Sequence, residues 1–209
     1  MLYLIRHEET PLNAEGKFRG SSNPGLTQRG KHAATGTGYR MDGKFDRIVT
    51  DGYARTQQTA ERIARGVPIE HDEGLSPWNI GDWSGTPKNE RTERQFNAQH
   101  VAKPGKAPSG GESLNSFLAR WKPVYDGYLQ QSKKQNIALV THGSNIGAVL
   151  SKFKPAPIQG TATVRKPGAI VKVSPGGTPN IMETNRSPHS APRSAPNAPT
   201  MKLAGLARA

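Results

Sequence analysis

The chain has no cysteine among its 209 residues, which excludes a disulfide framework, a thiolate metal site and a cysteine nucleophile. Long apolar runs are also missing. The opening MLYLIRHEET carries no basic region ahead of its short hydrophobic stretch, which breaks at Arg6. Neither a secretory signal nor a membrane span is expected, and the cytoplasm is the default location. Hydrophobic residues are scarce at 33%, too few to pack the whole length, so part of the chain is expected to stay unpacked. Acid is short relative to base, with 16 Asp and Glu against 29 Lys and Arg and a formal charge of +13. A nucleic-acid-binding face would gather such cations. Here four of them, Arg186, Arg193, Lys202 and Arg208, lie in an acid-free terminal segment, and the others are scattered with no block of five or six. That distribution argues against a nucleic-acid partner and fits a solvated surface, or one that draws in small anionic phosphoesters.

What is present is an alternation of strand and helix patterns in a chain long enough for one substantial core. Leu2 to Ile5 reads as a buried strand ending in Arg-His. Leu26 to Tyr39 reads as a helix weakened by Gly36 and Gly38, Asp46 to Thr50 as a strand, Ala54 to Arg65 as a helix and Val67 to Glu70 as a short strand. Ser113 to Gln131 is the longest helix, with a kink expected at Pro123, and Ile137 to Thr141 is a buried strand before a helix from Ser144 to about Lys152. Thr161 to Arg165 and Ala169 to Val173 look like edge strands, Ser174 to Gly177 like a turn, and there is room for one more short strand. The pattern predicts an α/β sheet covered on both faces, with ligands bound beyond the carboxyl ends of its strands. Residues 85–111 are expected to form a lid or insertion, and the Pro/Ser/Ala-rich segment 186–209 a disordered basic tail after a domain spanning 1–185.

Two strand ends present histidine, His7 after LYLIR and His142 after IALVT. Such a histidine is ordinarily a satisfied core or surface residue, but here His7 follows Arg6 and a second arginine, Arg55, comes just after another strand. Phosphoryl transfer needs cations aimed at three equatorial oxygens. Arg6 and Arg55 offer forked donors, His142 adds a hydrogen bond, and a neutral His7 can act as nucleophile.

The sequence resembles the histidine phosphatase superfamily, the phosphoglycerate-mutase-like proteins. The motifs that carry the resemblance are LYLIRHEETPLN at 2–13, KFRG at 17–20, GLTQRG at 25–30, TDGYARTQQTAE at 50–61, LSPWNIGDWSG at 75–85, GGES at 110–113 and ALVTHGSN at 138–145. The resemblance implies a three-layer α/β/α sandwich with a mainly parallel sheet, and a metal-independent, cofactor-free phosphatase acting on small phosphorylated substrates. It implies that His7 is phosphorylated in a pocket completed by Arg6, Arg55 and His142, with Thr10, Asn13, Arg19 and Gly143 holding phosphate or substrate.

Two departures stand out. Glu8 occupies the place where the family usually has glycine, and its carboxylate is expected to point away from a pocket that binds phosphate. Pro77 stands where many members place the glutamate that protonates the leaving oxygen, and proline has no proton to give. Glu112 is the first substitute and Asp82 the second, with Glu8 third. Without an acid, turnover should favour acyl phosphates, phosphoramidates and aryl phosphates. Trp78 and Trp83 read as packing residues, Trp121 as core, and His32, His71, His100 and His189 as surface. The alternatives are a phosphoglycerate-type mutase, whose members generally retain the acid and carry longer insertions, a phosphohistidine phosphatase, and a catalytically impaired binding protein working through its basic tail.

Overall fold

The structure is a computed structural model that describes residues 1–155 and 166–182. The expected strand at 161–165 and the expected tail at 186–209 lie outside the described residues. In chain order the elements are β1 (Leu2–Arg6), α1 (Pro11–Ala14), α2 (Gln28–Arg40), β2 (Arg47–Thr50), α3 (Ala54–Ala64) and β3 (Ile69–His71). They continue with α4 (Glu90–Phe96), α5 (Leu114–Gln131), β4 (Ile137–Thr141), α6 (Gly143–Leu150), β5 (Ile170–Val173) and β6 (Pro179–Ile181). Six strands form one sheet in the order β3-β2-β4-β1-β5-β6. The first four are parallel, and β5 and β6 each run antiparallel to the neighbour before them.

Both faces of the sheet are covered, as side-chain alternation along the strands requires. Tyr3, Ile5, Ile48, Ala138 and Val140 pack with Ala60, Ile63 and Ala64 of α3 and with Met41 and Phe45 after α2. Leu2, Leu4, Val49, Ile137 and Leu139 pack on the opposite side against Leu114, Phe117, Leu118, Trp121 and Tyr125 of α5 and Ile146 and Val149 of α6. The result is the expected three-layer sandwich. Helix α5 runs through Pro123 as one element, and no helix among the described residues is long and apolar enough to cross a membrane. Residues 85–111, expected from sequence to form a lid or insertion, contain α4, capped by the Asn89 side chain accepting from Thr92 N at 3.0 Å.

Of the two glycines that weaken the sequence pattern of α2, Gly38 has a packing cause. A Cβ on Gly38 would lie 2.5 Å from the Arg62 carbonyl oxygen, so the bare backbone lets α2 sit directly on α3. Gly36 has no such neighbour, its Cβ position meeting only Arg40 Nη1 at 3.6 Å. The two sites therefore respond oppositely to one added methyl. In urea denaturation, Gly36→Ala should gain about 0.5–1 kcal/mol from reduced backbone entropy, whereas Gly38→Ala should lose about 1–3 kcal/mol from the backbone clash.

Candidate active site

The sheet register builds the site. Arg6 of β1 lies opposite Thr141 of β4, so His7 and His142, each one residue further on, emerge side by side. Thr50 of β2 lies opposite Val140, which brings Asp51 to the same edge. His7 N donates to Thr141 O at 2.9 Å and Arg6 N to Ala169 O at 2.9 Å, extending the ladder on both sides of β1. The His7 and His142 rings are 5.4 Å apart, edge to face. Arg55 enters from the first turn of α3, and Arg19 from the loop that follows α1.

These side chains line a cleft of about 150 Å³ together with Lys17, Lys88, Gly143 and Ser144. Its far wall is apolar, formed by Phe18, Trp78, Ile80, Phe96 and Val101, with Pro77 beside them. Backbone bonds from Phe18 N to Thr86 O at 2.9 Å and from Lys88 N to Gly16 O at 2.7 Å zip the two wall segments together. Lys17 pairs with Glu15 at 2.7 Å and Lys88 with Glu93 at 3.2 Å. No carboxylate is among the described side chains that line the cleft.

Each basic group is held in a definite state. His7 Nδ1 is 2.7 Å from the Glu8 carbonyl oxygen, which can only accept, so Nδ1 carries the proton and Nε2 keeps its lone pair. Burial, then the fields of Arg19, Arg55, His142 and Arg6, hold the His7 pKa well below 6.5. His142 Nε2 is 2.6 Å from Asp51 Oδ2, and its Nδ1 accepts from Arg55 Nε at 3.3 Å. Burial and Arg55 outweigh Asp51 and lower the His142 pKa to about 4. At neutral pH the contact is therefore a hydrogen bond from neutral imidazole to carboxylate rather than an ion pair. Burial alone would raise the Asp51 pKa, but hydrogen bonds from His142, Thr56 Oγ1 at 2.5 Å and Tyr53 N at 3.2 Å keep it below 3.8. Burial brings Arg6 and Arg55 down to about 10, which leaves both charged. The Arg55 guanidinium donates to Ser22 O at 2.6 Å and Gly20 O at 3.2 Å, pinning the loop that carries Arg19. Arg19 Nη1 is buried with no hydrogen-bond partner among the described residues.

Of the residues singled out from sequence, the cleft gathers His7, Arg6, Arg55, His142, Arg19 and Gly143. Thr10 and Asn13 instead bond to each other at the start of α1, Thr10 N and Oγ1 donating to Asn13 Oδ1 at 3.1 and 2.9 Å. Glu112 lies outside the lining: its oxygens accept from Arg120 at 2.6 and 2.9 Å and from Asn79 N at 3.0 Å. Asp82 sits in a single helical turn, Gly81–Trp83, and also lies off the lining. Glu8 is buried away from the cleft, its carboxylate filling the space that a Cβ on Gly168 would need. His100 is a correction to the sequence reading: it is buried, not at the surface, because the Trp83 indole N–H meets its Nε2 at 3.2 Å beside Phe96. Trp78 packs in the core as expected and also forms cleft wall. Asp51 was missed. The signal available for it was an acid one residue past a strand end, in register with Thr141.

Two depressed histidines make stability pH-dependent. Below 6.5 the unfolded chain takes up protons that His7 and His142 refuse when folded, so stability is complete above 6.5 and is lost as pH falls toward 4. Urea midpoints measured across that range should fall with acid, and less steeply in His142→Gln.

Comparisons with known proteins show the family and the fold. The model of the histidine phosphatase superfamily (branch 1) matches residues 2–178. A 2,3-bisphosphoglycerate-dependent phosphoglycerate mutase of Bartonella quintana is 31% identical over 163 residues, covering 71% of this chain and 79% of its own. A probable phosphoglycerate mutase, GpmB, of Yersinia enterocolitica is also 31% identical over 163 residues, covering 75% of each chain. Among solved structures, a phosphoserine phosphatase of Entamoeba histolytica bound to 3-phosphoglyceric acid shares the fold with a TM-score of 0.74. It is 24% identical, and the match covers 90% of this chain and 98% of that one. With the family model spanning both histidine motifs and the sheet that brings them together, the chain belongs to the histidine phosphatase superfamily.

Proposed function

We propose that this chain is a phosphatase that hydrolyses small phosphomonoesters through a phosphohistidine on His7. The single observation that carries the reading is the state of His7: a neutral imidazole with its Nε2 lone pair free, in a cleft lined by three guanidiniums and no described carboxylate. A phosphoryl group entering there meets a nucleophile without a proton to shed. Arg6, Arg19 and Arg55 then face the charge that spreads over its equatorial oxygens in the transition state. The partnerless Nη1 of Arg19 supplies a donor already desolvated. The backbone N–H groups at the start of α6, from Gly143 onward, add the positive end of a helix dipole. Attack by Nε2 on phosphorus forms the P–N bond as the P–O bond to the leaving group breaks, and water then cleaves the P–N bond. The 85–111 segment, which supplies Phe96 and Val101 to the wall, is the part that would read the leaving group.

A second reading, return of the phosphoryl group to a bound product, is favoured by relatives such as the phosphoglycerate mutase of Bartonella quintana. Incubation with 3-phosphoglycerate separates the two, because a mutase yields an isomeric phosphoglycerate and a phosphatase yields free phosphate.

Hydrolysis of p-nitrophenyl phosphate should fall by at least about 1,000-fold in His7→Ala. Wild-type protein quenched during turnover of a radiolabelled substrate should hold label that survives alkali and is lost in acid. Equal rates in wild type and variant would leave a binding protein instead. Arg19→Gln should raise KM for the same ester by about 10–100-fold, the loss of one charged hydrogen bond of ~1.5–3 kcal/mol.

A further inference from the structure

The leaving oxygen of an alkyl ester needs a proton, and the cleft wall offers Pro77 where an acid would serve. Glu112 is tied to Arg120, Asp82 and Glu8 lie off the lining, and Lys17 and Lys88 are paired with Glu15 and Glu93. What remains is His142, which lines the cleft and has a buried carboxylate behind it. Asp51 is itself pinned from two sides, by Thr56 Oγ1 and Tyr53 N, so the carboxylate has a fixed orientation toward His142 Nε2.

This arrangement creates a mismatch with a phosphoryl dianion. A neutral His142 that donates Nε2–H to Asp51 has only an acceptor left at Nδ1, and the dianion consists of acceptors. That acceptor is satisfied by Arg55 Nε at 3.3 Å. An entering dianion competes for the Arg55 guanidinium and leaves Nδ1 facing negative charge, a conflict that one added proton removes. Resting on the phosphohistidine reading above, we propose that His142, backed by Asp51 as its positioning residue, takes up a proton when substrate binds and delivers it from Nδ1 to the leaving oxygen.

The groups that face His142 explain why the proton arrives with the substrate. Asp51 stands at the end of β2, Arg55 and the Tyr53 ring at the start of α3, His7 and Arg6 at the end of β1, and Arg19 on the loop after α1. Burial first, then the charges of Arg55 and Arg19, outweigh Asp51 and keep the site hostile to imidazolium, with the His142 pKa lowered to about 4. A bound dianion reverses that balance, and Asp51 then sits across the ring from it, so imidazolium is flanked by negative charge on both sides. The protons balance over the cycle. His7 Nε2 bonds to phosphorus, the P–O bond breaks, and the Nδ1 proton goes to the departing oxygen, leaving His142 neutral. Water then attacks the phosphohistidine, Nδ1 takes its proton, and phosphate leaves.

The test compares wild type with Asp51→Asn, an isosteric change that keeps an oxygen near Nε2 and removes the charge. On a series of phosphate esters from p-nitrophenyl to primary alkyl, wild-type kcat should vary little with leaving-group pKa. Asp51→Asn should lose about 100-fold or more on the alkyl esters and less than about 10-fold on p-nitrophenyl phosphate. A leaving-group dependence equally steep in both proteins, or equally flat, overturns the proposal. Titration calorimetry with tungstate, run near pH 7 in buffers of different ionisation enthalpy, should show uptake of about one proton by wild type and little by the variant. No uptake by wild type also overturns it. If Asp51→Asn does not fold, the wild-type calorimetry decides alone. If wild type hydrolyses none of the esters, it is the phosphatase reading that fails, and proton uptake still stands or falls on the calorimetry.

Discussion

The organisation of this protein depends on keeping several positive charges together in one largely buried cleft. Arg6, Arg19 and Arg55 share one cleft with two lysines, and no described carboxylate lines it. Such a cluster repels itself, and a flexible chain would relieve the repulsion by opening. Here the groups start from places that cannot separate easily: Arg6 closes a central strand, Arg55 is buried in the first turn of a helix on the sheet, and Arg55 in turn holds the loop bearing Arg19 through two carbonyl oxygens. The stability of the two packed cores offsets the electrostatic cost. The return is chemical, because burial, helped by the field of these arginines, keeps the proton off both histidines.

Much of the fold was legible because it rests on local patterns. The apolar runs LYLI and IALV are strands buried on both faces, and the apolar stripe of Phe117, Leu118, Trp121 and Tyr125 marks the buried side of α5. The helix α4 was not legible. Its sequence ERTERQF is charged on nearly every side, only Phe96 is buried, and its start depends on a cap at Asn89 rather than on periodicity. The helix α2 was legible despite its glycines, and Gly38, which weakens an isolated helix, is the residue that lets α2 and α3 touch.

The site was legible in its cations and obscure in its acids. Histidines at two strand ends stand out through their company, His7 following Arg6 and Arg55 coming just after another strand. Carboxylates depend on what they face. Glu112 stands in a motif near the cleft but turns to Arg120, whereas Asp51, one residue past a strand and unremarkable in the chain, is brought beside His142 by strand pairing across 91 positions of sequence. Register is a property of the assembled sheet, so the partnership of Asp51 and His142 becomes visible only once β2 is known to lie next to β4.

The berth of Glu8 against Gly168 ties two distant positions into one unit of volume. A side chain added at 168 alone would expel the Glu8 carboxyl group from its place close behind the nucleophile. Restoring a small residue at 8 alone would leave a void in a packed interior. Changed together, large for small and small for large, the two exchanges conserve the space, and only the backbone strain of a side chain at the positive φ of residue 168 is left. Their effects should therefore be epistatic, and a library that samples either position singly would misjudge both.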